Sequence, residues 1–170
     1  MKKSLTLVVT ALVVTGGLLA VSALNLLAAS ATTTLSVSAS VTANCTISTG
    51  ALAFGSYDPV GANASSPLDA TGTVTIACTK GSTNTVGLDL GSNASGSTRR
   101  MASGSERLTY EMYKDSSRTQ VWGNSGTDLY DAGSAPSKAA RSFNVYGQIP
   151  AGQDVGAGSY SDTVVATVNF

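Results

Sequence analysis

Near each of its two ends, the chain of 170 residues carries a segment in which every second residue is apolar. This period places side chains on alternate faces of a β-strand. In the first segment the apolar residues are Leu35, Val37, Ala39 and Val41. In the second segment they are Val164, Ala166, Val168 and Phe170. Because an unpaired strand exposes main-chain hydrogen-bonding groups, each segment needs a partner, and the pattern indicates assembly rather than catalysis.

Residues 1–31 are predicted to be a secretory signal peptide rather than part of the fold. A short basic start is followed by an uncharged, mostly apolar run at 5–27 and by small residues at 28–31. This order is typical of a cleaved leader, and we expect cleavage after Ser30 or Ala31. The apolar run is also long enough to span a bilayer, so a retained anchor is the alternative. The small residues at its end favour removal.

The remaining chain is nearly neutral. Loss of the two leader lysines leaves eight Lys+Arg against ten Asp+Glu, a formal charge of about −2. A surface with so little charge offers no electrostatic attraction for nucleic acid, and we expect no nucleic-acid partner. About 140 residues remain, which is enough for one domain with a single core.

The chain contains two cysteines and no histidine. In an exported protein the pair Cys45 and Cys78 is predicted to form one disulfide, with two buried thiols as the alternative. Without histidine the most common general base is absent, and the acidic residues are spread singly along the chain. There is no CxxC pair and no phosphate-binding loop motif. We therefore expect no enzyme, no metal site and no cofactor.

The pattern of the mature chain predicts an all-β fold. Gly, Ser, Thr, Asn and Ala separate short alternating runs, as in antiparallel sandwiches and barrels. Strands are predicted near 35–41, 45–47, 52–54, 72–79, 84–90, 107–114, 120–122, 140–150 and 160–170. Three rows are predicted to face inward: Val74, Ile76 and Cys78; Val86, Leu88 and Leu90; Leu108, Tyr110 and Met112. Loops are predicted at 57–69, 91–105 and 123–137.

Two features of these loops and edges allow more than one interpretation. Trp122 is interpreted as covering the edge of the core, with a sugar-binding platform as the alternative. The pair Arg99 and Arg100 is interpreted as a solvated loop tip, with a ligand or partner contact as the alternative.

Three groups of residues resemble the spore coat protein U domain. They are NCTI at 44–47 with LAFGSYDP at 52–59, LTYEMYKD at 108–115 with Val121-Trp122-Gly123, and VYGQIP at 145–150 with GSYSDTV at 158–164. The match covers essentially all of the mature chain, and its C-terminal group is the most specific part.

This family includes subunits of the archaic, Csu-type chaperone–usher pili of Gram-negative bacteria. The resemblance implies an incomplete immunoglobulin-like β-sandwich that lacks one strand and is completed by a donor strand. It implies three partners: a periplasmic pilus chaperone, an outer-membrane usher, and neighbouring pilin subunits of a homopolymer. It also implies export through the periplasm to a pilus on the cell surface, where the fibre would support attachment and biofilm formation.

Combined with the alternation, the resemblance divides the chain into three parts. Residues 1–31 are the signal peptide, residues 32–43 a donor-strand extension, and residues 44–170 the sandwich domain. The extension would donate Leu35, Val37, Ala39 and Val41 to a neighbour. The acceptor groove, which a chaperone would also bind, would be lined by Val164, Ala166, Val168 and Phe170.

Two other functions remain open from the sequence. The first is a secreted, lectin-like sandwich that binds a glycan through Trp122, Tyr130 and the polar loops. The second is a coat or matrix protein that assembles without an usher.

Overall fold

A computed structural model describes residues 29–170, so most of the predicted signal peptide lies outside the described residues. The chain divides into two units after Ala39. In the first unit, residues 29–39 form neither helix nor strand and are exposed. The second unit, Ser40–Phe170, contains the fold.

Eight antiparallel strands form two sheets. The strands are β1 Cys45–Gly50, β2 Leu68–Cys78, β3 Thr83–Leu88, β4 Arg99–Ser103, β5 Glu106–Tyr113, β6 Tyr130–Ser134, β7 Arg141–Ile149 and β8 Ala166–Asn169. The larger sheet has the order β1-β2-β7-β5-β4 and the smaller sheet the order β6-β3-β8. A 3₁₀ turn spans Gly126–Asp128. No α-helix occurs among residues 29–170, and the predicted all-β sandwich is confirmed.

The core lies between the two sheets and is built from the predicted inward rows. Alternate residues of β2, β3 and β5 are buried, because a strand that covers a core turns every second side chain inward. The buried members of these rows are Val74, Ile76, Cys78, Val86, Leu88, Leu108, Tyr110 and Met112. Trp122 is fully buried among them, donates its indole N–H to the Val86 carbonyl at 2.9 Å, and stacks on Tyr130. It therefore belongs to the core and offers no surface to a sugar.

The predicted disulfide joins Cys45 to Cys78. The two residues are directly opposite each other in the β1–β2 pairing. The bond therefore fastens the first residue of an edge strand to the end of a strand that is paired on both sides.

Two strands lie where loops were predicted, and both predictions were wrong. β4 lies within 91–105 and β6 within 123–137. Neither strand carries a clean apolar alternation, so their sequences do not indicate strands, and they are identified by their main-chain pairing. β4 pairs along its whole length with β5, and β6 pairs with β3 across a bulge.

Three predicted strands are not strands in the structure. Residues 35–41 have no β-pairing, and residues 52–54 are extended but unpaired. Residues 120–122 contribute one isolated bridge, between Val121 and Tyr113. The first two segments alternate, but their main chain has no paired strand among the described residues. Residues 120–122 lie beside the end of β5, where two main-chain hydrogen bonds, from Lys114 to Gln120 and from Trp122 to Met112, are too few for a ladder.

Arg99 is the largest departure from the sequence prediction, because it is not a solvated loop tip. Its side chain is 1% exposed and forms an ion pair with Glu111. Its guanidinium group also donates to the main-chain carbonyls of Leu88, Asp89 and Trp122 at 2.8–3.0 Å. One buried cation thus joins the end of β3, the strand β5 and the segment after it, and supplies hydrogen bonds that buried main-chain carbonyls require.

We expect Arg99→Met to destabilise the protein by roughly 3 kcal/mol, because it leaves three carbonyls and a partly buried carboxylate without their donor. Urea unfolding of the purified protein measures this loss. Arg107→Met is the matched control, since Arg107 donates only to exposed carbonyls of its own turn, and a change within about 0.5 kcal/mol is expected. Equal unfolding midpoints for the two variants would contradict the assigned role of Arg99.

Candidate functional site

A long groove opens along one edge of the sandwich. Its floor is the inner face of the larger sheet, and its two walls are the extended segments 51–57 and 155–166. The groove contains two cavities of about 430 Å³ and 670 Å³, here called the first and the second cavity. The first lies beside β8 and the end of β1, and the second lies between 52–59 and 155–160.

The wall 51–57 packs closely on the larger sheet because two glycines of that sheet, Gly72 and Gly147, lie beneath it. A Cβ atom at Gly72 would lie 3.1 Å from the Cβ of Leu52, and one at Gly147 would lie 2.8 Å from its Cδ2. Phe54 packs edge-to-face on Tyr110, with 6.1 Å between ring centroids. The wall therefore occupies the layer of the smaller sheet, separated from β8 by the groove.

The opposite wall is fixed by a side-chain amide and a tyrosine hydroxyl. Gln153 accepts the N–H of Thr109 at 2.8 Å and donates to its carbonyl at 2.9 Å, so that its amide pairs with β5 as a strand would. The Tyr57 hydroxyl donates to the Pro150 carbonyl and accepts the N–H of Gln153. These contacts fix the backbone conformation of the glycine-rich segment between β7 and β8.

The main chain of β8 presents an unpaired edge to the groove. The carbonyls of Thr163 and Val165 accept N–H groups from Ser92 and Asp89, at 3.1 and 3.0 Å. Since the main-chain groups of successive strand residues point to opposite sides, those of Val164, Ala166 and Val168 point away from β3. In the part of the chain that the structure describes, no strand is hydrogen-bonded to β8 on that side, although β1 lies close to it. β1 is likewise the outer strand of the larger sheet.

A hydrogen-bonded cluster of polar side chains lies at the first cavity. Tyr110, on the floor, donates its hydroxyl to Asp162 at 2.7 Å, and Asn93 donates its main-chain and amide N–H groups to the same carboxylate. Burial, followed by this hydrogen bond to a carboxylate, raises the pKa of Tyr110 well above its ordinary value. The contact ties the floor of the groove to the wall that leads into β8.

The structure places the predicted acceptor residues only partly in the groove. Val164, Ala166 and Val168 share the inward face of the β8 segment and are half-buried. Val164 and Ala166 line the first cavity, whereas Val168 packs against the core. Phe170 follows the strand, is 56% exposed and lines neither cavity.

The predicted donor residues are exposed. Leu35, Val37 and Val41 each expose 85–86% of their surface, and Ala39 is exposed as well. Large aliphatic side chains with so much exposure at a regular spacing are unusual in a folded domain.

Several groove residues were missed by the sequence analysis. Residues 52–54 were predicted to form a strand, although Leu52 and Phe54 form a wall, and no structure was predicted for the wall 155–159. Asp162 and Met101 gave no signal, because a single carboxylate and a single methionine carry no pattern.

Other kinds of site find no support in the described residues. Among residues 29–170, no group of three or more His, Cys, Asp or Glu residues is placed to hold a metal ion. Over the same residues, no helix has both the length and the apolar character needed to span a membrane.

The chain matches a protein family and is similar to a known protein and to solved structures. Residues 31–167 match the Spore Coat Protein U domain. The chain is 40% identical over 146 residues to Protein U of Myxococcus xanthus, covering 77% of this chain and 80% of that protein.

One similar solved structure is the CsuC–CsuE chaperone–tip adhesion subunit pre-assembly complex, from archaic chaperone–usher Csu pili of Acinetobacter baumannii. The match to one of its chains has a TM-score of 0.54 and 25% identity. It covers 76% of this chain but 40% of that one.

We expect Tyr110→Phe to flatten the alkaline loss of stability. In the native protein Tyr110 keeps its proton above pH 10, where an unfolded tyrosine ionises, so the free energy of unfolding falls as the pH rises past about 10. The variant lacks this linkage and should lose less stability between about pH 9 and 11.5, although it starts about 1 kcal/mol lower. Urea unfolding across this pH range measures the slopes. Tyr146→Phe, on the outer face of β7, is the control, and equal slopes for native protein and Tyr110→Phe would contradict the assignment.

Proposed function

Since the chain belongs to the Spore Coat Protein U domain family, we propose that it is a structural pilin subunit that polymerises by donor-strand exchange. In this proposal residues 1–31 are a signal peptide, residues 32–43 a donor extension, and residues 44–170 the acceptor domain. The extension of one copy fills the groove of the next. A periplasmic chaperone occupies the groove first, and an outer-membrane usher exchanges it for the extension. The product is a surface pilus that supports attachment and biofilm formation.

The single observation that carries this proposal is the unpaired edge of β8 beside the groove. The smaller sheet has three strands, and beyond β8 its layer is interrupted until the wall 51–57. A further strand in this place would pair with the main chain of Val164, Ala166 and Val168. It would also cover the apolar floor. Side chains and main chain would therefore both contribute to binding, as in strand addition to a sheet edge.

The extension has the composition that such a strand requires. Its odd-numbered positions 35–41 are apolar and exposed, and the even-numbered positions between them are Ser. Inserted as a strand, it would turn the apolar row toward the floor and the hydroxyl row toward solvent. A head-to-tail contact of this kind does not close on itself, so it produces a fibre.

The chaperone and the fibre are inferred from the similar structure as well as from the groove. That structure contains a chaperone with a pilus subunit before assembly. An unfilled groove in this chain would expose apolar surface beside an unpaired strand, which favours aggregation. A partner that fills the groove during export would prevent this.

The two alternative functions have less support. The lectin-like alternative relied on Trp122, which is fully buried. Assembly into a coat or matrix without an usher uses the same groove, and it differs only in the machinery that delivers the subunit.

We expect deletion of residues 32–42 to abolish polymerisation but leave the groove able to accept a strand. Native mass spectrometry of the exported protein, produced with a periplasmic pilus chaperone, should show a ladder of multimers for the full chain. The deletant should give a chaperone heterodimer. Mixed with the full chain, it should shorten the ladder, because each deletant fills one end and donates nothing.

A matched pair of substitutions tests which face of the extension is buried in the groove. Val37→Asp places a charge on the row proposed to be buried and should stop the ladder, whereas Ser38→Asp, on the opposite face, should leave it. Ladders formed by the deletant would refute the proposal. A full chain that is a stable monomer, with its own extension completing its sheet, would refute it equally.

A further inference from the structure

We propose that a constriction of the groove sets the register of the inserted strand by admitting Ala39 and excluding its larger neighbours. This inference rests on the proposed function and identifies what determines the register of strand exchange. The constriction, here called the waist, is formed by Leu52, Met101 and Tyr160. These are the three side chains that line both the first and the second cavity.

Each waist residue is held in place by its surroundings. Leu52 lies over Gly72 and Gly147, where the missing Cβ atoms leave it room. Met101 and Tyr160 are brought together by a bridge between the residues that follow them, Ala102 and Ser161, which exchange main-chain hydrogen bonds at 2.9 and 3.1 Å.

The ring of Tyr160 is fixed at its far end, because its hydroxyl donates to the Gly156 carbonyl at 2.7 Å. Leu52 and Tyr160 are thus supported through their side chains and Met101 through its neighbouring main chain, which limits how far the waist widens.

A register determinant is needed because alternation alone does not select one. A strand that slips by two residues keeps the same side chains on the same face. In the extension, the sizes along the buried row are large, large, small and large at Leu35, Val37, Ala39 and Val41. This order of sizes is what distinguishes one register from the next.

Only one register of this row matches the groove. With Ala39 at the waist, its neighbours in the row lie about 7 Å to either side and enter the two cavities. A slip by two residues brings Val37 or Val41 to the waist, where a branched side chain meets three supported ones. Such overpacking is strongly unfavourable.

The first experiment measures the rate of polymerisation of the full chain carrying Ala39→Leu, with Ser38→Leu as the matched control of equal added size. We expect Ala39→Leu to slow ladder formation about tenfold or more, and Ser38→Leu to change it less than about twofold. Met101→Ala widens the waist, so Ala39→Leu combined with Met101→Ala should polymerise within about threefold of Met101→Ala alone. Native-rate polymerisation by Ala39→Leu would overturn the proposal, as would a double variant that stays slow.

A second experiment reads the register directly and does not depend on rates. Full chains carrying Ala39→Cys are mixed with full chains carrying Met101→Cys, and interchain disulfides are measured on non-reducing gels. We expect crosslinking with Ala39→Cys to exceed that with Val37→Cys or Val41→Cys by about tenfold, because those positions lie about 7 Å away from the waist. Equal crosslinking from all three positions would overturn the proposed register.

The two proposals fail in distinguishable ways. If the native full chain forms no ladder, or if the deletant lacking 32–42 forms one, donor-strand exchange itself is refuted. If the native chain polymerises through its extension but Ala39 crosslinks no better than its neighbours, the register proposal alone is refuted.

Discussion

The unpaired edge of β8 is the constraint on which the rest of this structure depends. Main-chain groups that face neither water nor a partner are costly, so this edge requires either solvent or an added strand. Thr163 and Val165 attach the β8 segment to the smaller sheet on one side. On the other side the wall 51–57 is held apart from β8 by its packing on two glycines of the larger sheet. The groove is therefore built by the fold itself.

Buried polar contacts stabilise the sandwich around this opening. Arg99 donates to three main-chain carbonyls and forms an ion pair with Glu111, which connects the end of β3 with β5. Gln153 binds the main chain of β5 through its side-chain amide. Gln153 supplies the hydrogen bonds of Thr109 at a point where the ladder between β5 and β7 has ended.

The sequence predicted the class of fold and the inward rows, because burial on one face of a strand leaves a two-residue period. It failed where that period is absent or misleading. β4 begins with Arg99, whose burial depends on partners distant in the chain. The wall 155–159 is rich in glycine, so its course is decided by Gln153 and Tyr57. The alternation at 52–54 indicated a paired strand, but these residues pack without pairing. The predicted donor row and acceptor residues remain predictions, although Val164 and Ala166 do lie at the groove.

The position of the disulfide has a mechanical consequence. Cys45 is the first residue of β1 and is separated from the extension by Asn44 alone, and its sulfur is bonded to the end of β2. Tension applied through the extension therefore reaches β2 along covalent bonds before it loads the hydrogen bonds of β1. The edge strand cannot be peeled away from that end while the bond is intact, and the load spreads into the middle of the larger sheet, where strands hold each other on both sides.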